Sequence, residues 1–283
     1  MRIDLHTHST VSDGTDPPAA LVRKAAKQGL DMLGLTDHDT FDGLPEARAA
    51  AEKAGVLLVP GMEMSCQLGG ASVHLLGYGC DPHDPALLAE LARLRSGRTG
   101  RLPALLARLA ELGMPLTSDE VAEQVGQSPS LGRPHVADAM VAKGYVRDRR
   151  EAFGRFLYDG GPAHVHRYSC DLERGIRLIR EARGVPVIAH PWGRGRDRQL
   201  TPAVLTALAR EHGLEGVEID HPDHDADARA RLRPLADGLG LLCLGSSDHH
   251  GLGKVNNPLG CESTAPEVFA ELVHRIGARG GSL

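Results

Sequence analysis

Each apolar segment of this 283-residue chain that reads as a strand carries a histidine or a carboxylate at or near one end, in all but the fourth the C-terminal end, and few folds accommodate that regularity. The segments lie at residues 2–5, 31–36, 56–60, 73–78, 185–189, 215–219 and 241–245; they are short and rich in Val, Ile and Leu, with helical stretches between most of them. Such alternation is expected of βα units around a parallel sheet or barrel. The helices have legible ends. Asp16 and Pro17 open one that stops at Gly29, residues 45–54 stop at Gly55, Asp171 opens another through Ala182, and Thr201-Pro202 opens one closed by Gly213. Residues 225–237 and 266–276 complete the set.

The first strand runs into His6-Thr7-His8, and residues two apart in an extended segment point the same way, so both imidazoles can reach one ion. Asp13 follows in a Val-Ser-Asp-Gly turn. The second strand ends in Asp37-His38-Asp39, the third is followed by Glu63, the fourth contains His74, the fifth ends in His190, the sixth in Glu218-Ile219-Asp220-His221 and the seventh in Asp248-His249-His250. Taken singly, His74 reads as a satisfied core histidine and Asp13 as a turn carboxylate. Taken together they read differently, because the C-terminal end of α/β-barrel strands is where functional groups gather. Of the 15 histidines, His83, His212, His224 and His274 fall outside the pattern and read as surface; His164 and His166 fit neither group.

Residues 97–163 break the rhythm with three successive helical patterns, at 99–112, at 118–124 behind a Thr117/Glu120 capping box, and at 134–143 ending at Gly144. The expected organisation is an α/β barrel made by residues 1–96 and 164–283, with 97–163 as an inserted helical cap. A net charge of −5 and 3% aromatic residues argue against a duplex DNA partner and against an extended base-stacking platform. Five dispersed cysteines without a C-x-x-C pair read as reduced thiols, and no apolar run is long enough to span a bilayer. With no signal-peptide pattern in MRIDLHTHS, a cytoplasmic protein is expected.

Several imidazoles with a few carboxylates and no cysteine pair suit Zn²⁺, Mn²⁺ or Fe²⁺ better than Ca²⁺. His6-Thr7-His8, Asp13, Thr36-Asp37-His38, Glu63, His74, Ala189-His190-Pro191 and Asp248-His249-His250 closely resemble the PHP (polymerase and histidinol phosphatase) family of metal-dependent phosphoesterases. The resemblance implies a distorted seven-stranded β/α barrel and a trinuclear centre. It assigns one ion to His6, His8, Glu63 and Asp248, a second to Glu63, His74 and His190, and a third to Asp13, His38 and His250. Asp37 is left as an acceptor that orients a ligand imidazole. Leu131-Gly132-Arg133-Pro134-His135 and the segment Gly160-Gly161-Pro162-Ala163 are similar to the subgroup that dephosphorylates nucleoside 3′,5′-bisphosphates, some members of which trim RNA 5′ to 3′; here Val165-His166 stands where Val-Pro is expected.

Three divalent ions would bring +6 against Asp13, Glu63 and Asp248, a surplus near +3 that suits an anionic phosphomonoester attacked by a metal-bound hydroxide, with no protein nucleophile. The partner is then a small phosphorylated molecule, a nucleotide first, with RNA 5′ ends or histidinol phosphate as the alternatives. Arg133, His135 and Lys254 are the candidate substrate contacts, and Arg194 reads as surface. An amidohydrolase-type barrel also starts with His-x-His, but it commonly bridges its ions with a mid-barrel lysine, and no lysine occurs between Lys53 and Lys143. A regulatory or nucleic-acid-binding protein keeping metal for stability needs only one closed four-ligand set.

Overall fold

Parallel pairing joins β1 (Ile3–Thr7) to β2 (Met32–Leu35) and β2 to β3 (Leu57–Leu68), with α1 (Pro18–Lys27) and α2 (Leu44–Ala54) as the crossovers. The computed structural model describes residues 1–125 and 132–283, with only the backbone of Arg194; Leu131 of the insert motif and the Arg194 side chain lie outside the described residues. Close approach of the first two strands depends on Gly34, where a Cβ would sit 2.1 Å from the Leu5 carbonyl oxygen.

The parallel rhythm then reverses. β4 (Ala71–Tyr78) runs antiparallel to both β3 and β6 (Val185–Ile188), contrary to the all-parallel expectation. The cause is local: Leu68 pairs with Ala71 across Gly69-Gly70, whose φ values of 56° and 83° supply the left-handed pair required by a two-residue hairpin loop. Parallel pairing resumes from β6 to β7 (Gly216–Asp220) and β8 (Leu242–Gly245), and a bridge from Thr7 to His249 brings the two ends of the seven-strand path together. The result is a nearly closed barrel-shaped sheet. A short strand absent from the sequence reading, β5 (Cys170–Asp171), lies beside β3.

Apolar faces of α1, α2, α8 (Leu172–Glu181), α9 (Pro202–Ala207) and α10 (Ala226–Gly238) join the main core around the sheet through Leu21, Val22, Ala47, Ile176, Ile179, Leu205 and Leu232. A second group joins Ile3, Leu5, Val59, Leu76, Val187 and Leu244 to Phe269, Leu272 and Ile276 of α11 (Pro266–Ala278). Along β1 those apolar residues alternate with Asp4 and His6, so one strand face feeds the core and the other feeds the site.

Helix α3 (Pro85–Gly100) was not legible as a separate element, although Asp84 caps it by accepting from the Leu87 amide at 2.8 Å and Leu87, Leu91 and Leu94 enter the main core. The next helix, α4, therefore starts at Leu102 (Leu102–Glu111). With α5 (Ser118–Val125), α6 (Arg133–Ala142), α7 (Arg149–Ala152) and a π-helical turn at Phe153–Leu157, it builds a third apolar cluster around Leu105, Leu109, Val121, Met140 and Leu157. Thr117 and Glu120 exchange the two bonds of the expected capping box, at 2.9 and 3.2 Å. At α1 the cap differs from expectation: Pro17 is the N-cap residue, and the Asp16 carboxylate accepts instead from Lys24 Nζ at 2.9 Å. Four cysteines are buried and Cys261 is exposed, all as free thiols. Among the described residues no helix is long and apolar enough to cross a membrane.

Candidate metal centre

Glu63 is the hub. Its Oε2 lies 3.3 Å from His6 Nε2, 3.1 Å from His8 Nε2 and 3.1 Å from His38 Nδ1, while Oε1 lies 2.7 Å from His74 Nδ1 and 3.5 Å from His190 Nε2. Five imidazoles thus converge on one buried carboxylate. β3 continues past the point where β2 ends and pairs there with β4, so Glu63, opposite Leu76, and His74, opposite Ser65, are diagonal neighbours on adjacent strands, while His38 bridges to Glu63 from the β2 loop.

Asp248 forms a second focus. Its Oδ1 lies 3.4 Å from His8 Nε2, 3.6 Å from His6 Nε2 and 3.3 Å from His250 Nδ1. Asp13 makes a third, with Oδ1 3.3 Å from His250 Nε2 and Oδ2 3.6 Å from His38 Nε2. Donor atoms of His6, His8, Glu63 and Asp248 lie within 4.8 Å of one another, as do those of His8, Asp13, His38 and His250, and those of His38, Glu63 and His74. All nine residues named from the sequence as metal donors meet in one region; His8 also joins the Asp13 group, and His38 joins the Glu63–His74 group.

Electrostatics follow from this crowding. Burial raises the cost of charge on Glu63, but the surrounding His38, His74 and His6 hold its carboxyl well below the usual range. Asp13 and Asp248 are depressed in the same way, the latter by Lys254 and His6. For His8, burial pulls downward while Asp248 and Glu63 carry it up to about 9. His38 and His250 go the other way, pushed down to about 3 and about 4 by burial.

Backbone strain is concentrated here. His190 and Asp248 hold φ at 33° and 52°, and Asp39 beside His38 holds 57°, left-handed values that cost about 1–3 kcal/mol each. Two of the three are pinned: the Asp39 carboxylate accepts from the Ser65 amide at 2.7 Å and from Arg98 Nε at 2.8 Å, and the His190 amide donates to Glu218 Oε2 at 2.8 Å.

The remaining named residues lie close by. Asp37 accepts from the Ser9 amide, Ser9 Oγ and Ser12 Oγ at 2.8, 2.7 and 2.6 Å, and Ser12 Oγ is in turn 3.4 Å from His8 Nδ1, so its link to an imidazole runs through a hydroxyl. Lys254 is in short contact with Asp248 Oδ2. Arg133 donates to the Leu157 carbonyl at 2.7 Å and to Asp159 at 2.6 Å, and the buried His135 accepts from the Gly132 amide at Nδ1. Arg149 ties the insert to the barrel, gripping Asp138 with two bonds of 2.6 Å and donating to the Asp13 carbonyl at 3.1 Å.

Comparison with known proteins agrees with this geometry. The PHP domain model matches residues 4–116. The chain is 33% identical to the 3′,5′-nucleoside bisphosphate phosphatase of Chromobacterium violaceum over 98% of its own length and 97% of that protein. The chain belongs to the PHP family. A second relative, the 5′-3′ exoribonuclease of Haemophilus influenzae, is 35% identical over 88% of this chain and 90% of the other. A crystal structure of a Bifidobacterium adolescentis protein assigned as a metal-dependent phosphoesterase superposes with a TM-score of 0.92 at 34% identity, covering 96% of each chain. This PHP protein is therefore a metal-dependent hydrolase of phosphoric esters.

The donor set fits divalent ions. Nitrogen and oxygen acceptors are packed about 3 Å apart without water-sized separation, and His38 Nδ1 is buried with no hydrogen-bond partner among the described residues. Sequence reasoning did not give Glu218 a role, yet it lies 2.9 Å from His6 Nδ1, holding the ring so that Nε2 turns to the site, and it accepts from Ser246 as well. A carboxylate in the middle of a buried strand was the available signal. His224, read as surface, is buried: its Nδ1 meets the Ile219 carbonyl at 2.9 Å and its Nε2 accepts from the Trp192 amide at 3.1 Å, so it closes a loop as a neutral bridge. The loop contact is tertiary and leaves no trace in spacing. His249 is likewise committed, between the Asn257 carbonyl at 2.7 Å and Lys24 at 3.2 Å.

Proposed function

We propose that this protein removes the 3′-phosphate of nucleoside 3′,5′-bisphosphates, giving a nucleoside 5′-monophosphate and phosphate. The convergence of five imidazoles on Glu63 supports the reading of a multinuclear centre. His6, His8, Glu63 and Asp248 would hold one ion; Glu63, His74 and His190 a second; Asp13, His38 and His250 a third, with Mn²⁺, Fe²⁺ or Zn²⁺ suited to such donors. When bound, ions of this kind acidify water into a nucleophile and offset charge on phosphoryl oxygens. Glu218 fixes the His6 ring, Asp37 steadies Ser12 against His8, and the strained backbone at His190 and Asp248 sets their side-chain directions.

A metal centre alone does not choose among phosphomonoesters, so selectivity needs a second anchor. The 97–163 segment is the proposed cap that supplies it. Burial and the guanidiniums of Arg133, Arg167 and Arg98 all disfavour charge on Arg101, and since arginine stays protonated, this marks a cluster short of negative charge. A 5′-phosphate is a suitable filler. Arg133 can exchange Asp159 for phosphate, and His135, whose Nδ1 is occupied, carries its neutral-state proton on Nε2 as a donor. Lys254 is the third proposed contact, beside Asp248.

The test compares adenosine 3′,5′-bisphosphate, adenosine 3′-phosphate, histidinol phosphate and a 5′-phosphorylated RNA in wild type and Arg133→Ala. Loss of a charge-assisted anchor of about 1.5–3 kcal/mol makes the 3′-monophosphate about ten- to a hundredfold poorer in kcat/KM. Arg133→Ala should erase most of that preference and spare the monophosphate. Histidinol phosphate as the best substrate, or an undiminished preference in the variant, would refute the cap's role. Preference for the RNA would favour the activity named for the Haemophilus relative.

A further inference from the structure

None of the three proposed ligand sets uses His221, yet it is fully buried just beyond β7 and its Nε2 faces Asp248, a member of the first set. That nitrogen has no hydrogen-bond partner among the described residues. Asp248 Oδ2 is 3.6 Å away, and the His190 ring centroid is 5.0 Å from that of His221. By spacing alone His221 could complete a set with His190 and Asp248. Its other ring nitrogen decides against that role. The Asp223 backbone amide donates to Nδ1 at 3.0 Å across the His221-Pro222-Asp223 turn. The turn is itself held, because the His221 carbonyl accepts from the His224 amide at 3.0 Å and from Arg229 Nη2 at 2.8 Å. A neutral imidazole that accepts at Nδ1 carries its proton on Nε2, and a protonated nitrogen has no lone pair to give a metal.

We propose that His221 is a positioning residue that donates from Nε2–H to Asp248 Oδ2 and thereby reserves Oδ1 for the metal. The two oxygens of Asp248 already have different company. Oδ1 faces His250, His8 and His6 at 3.3, 3.4 and 3.6 Å, whereas Oδ2 faces Lys254 and His221, with His190 Nε2 farther off at 4.0 Å. At 3.6 Å the His221 contact is longer than a formed hydrogen bond, but a buried N–H without an acceptor is costly, and Oδ2 is the carboxylate oxygen it faces. Asp248 sits at a left-handed φ, so its backbone fixes where the carboxylate goes, and the two donors fix which oxygen turns inward. This rests on the reading that Asp248 is a ligand.

Two measurements test it. In metal-free protein labelled with ¹⁵N-histidine, with His221 signals identified by their loss in His221→Gln, long-range ¹H–¹⁵N correlations should show Nε2 protonated and Nδ1 as an acceptor. A proton on Nδ1 would overturn the proposal. Mn²⁺ titration of metal-free wild type, His221→Ala, His221→Gln and Asp248→Asn then separates donor from ligand. His221→Ala should bind as many ions as wild type, one of them about ten- to a hundredfold more weakly, and His221→Gln, which keeps a terminal N–H, should return to within about threefold. Loss of a whole equivalent of metal in both His221 variants would make His221 a ligand and refute the proposal. Unchanged metal count and affinity in Asp248→Asn would instead refute Asp248 as a ligand, an outcome the tautomer measurement does not share.

Discussion

Removing metal from this site should leave a proton behind. His6 Nε2 and His8 Nε2 lie 3.0 Å apart, each within 3.3 Å of Glu63 Oε2 and within 3.6 Å of Asp248 Oδ1. Burial works against charge on both rings, but these carboxylates, with Glu218 on His6, hold the pair protonated, His8 up to about 9. Two N–H groups pointing at each other across that gap would repel, so the pair shares one proton near neutral pH. Ligation requires both Nε2 atoms bare, so loading displaces about one proton, and apparent affinity gains about tenfold per pH unit while that proton is still present. Between pH 7 and pH 9 the apparent Mn²⁺ dissociation constant should therefore tighten by about a hundredfold, and the slope should ease above 9. Isothermal titration into metal-free protein, repeated in two buffers of different ionisation enthalpy, gives both the affinity and the proton count. An affinity that does not change between pH 7 and 8.5, with no proton released at pH 7, would refute this account of the His6–His8 pair.

The metal-free protein should be most stable near pH 6.5. Below that value the unfolded chain takes up protons that His38 and His250, at about 3 and about 4 in the fold, refuse; above it, folded His8 must give up a proton held to about 9. Thermal midpoints at pH 5, 6.5 and 9 in chelator check this, and a monotonic trend would refute it. Asp248→Asn and Glu63→Gln should each lower kcat/KM by at least about a hundredfold and reduce bound metal, while exposed His83→Ala and His274→Ala are silent; rates and metal analysis on the same samples decide. Gly34→Ala should destabilise by about 1–3 kcal/mol in urea unfolding, because its Cβ would meet backbone at 2.1 Å.

Much of the centre was legible because strand ends are marked twice, by the stop of a Val/Ile/Leu run and by the polar residue that follows. His6, His38, Glu63, His190 and Asp248 all carry both marks, and the structure brings them together. Strand direction carries no such mark. β4 looks like its neighbours in composition, and only Gly69-Gly70, a hairpin signal, announces that it returns beside β3. Helix α3 was missed although Asp84-Pro85 and leucines at 87, 91 and 94 had helical spacing, because it adjoins another helix and the two read as one irregular stretch. Groups acting through others, such as Glu218 on His6 and His224 between two loops, depend on contacts 212 and 32 residues apart in sequence, which no local pattern encodes.

The donors are also divided in time. His6, His8, Asp13, His38, Glu63 and His74 leave the ribosome early, whereas His190, Asp248 and His250 follow only after the insert. At 5–20 residues per second, the 176 residues between His74 and His250 take roughly 10–35 s to make. Throughout that interval a nascent chain exposes half-built clusters, with Glu63 lacking His190 and Asp13 lacking His250. Closure of β1 against the segment after β8, through the Thr7–His249 bridge, both shuts the barrel and completes the cage. If the proposed ligand sets hold, the last strand to be synthesised is therefore the one that brings Asp248 and His250 to the donors made before it, and an ion that meets the chain earlier meets only part of its site.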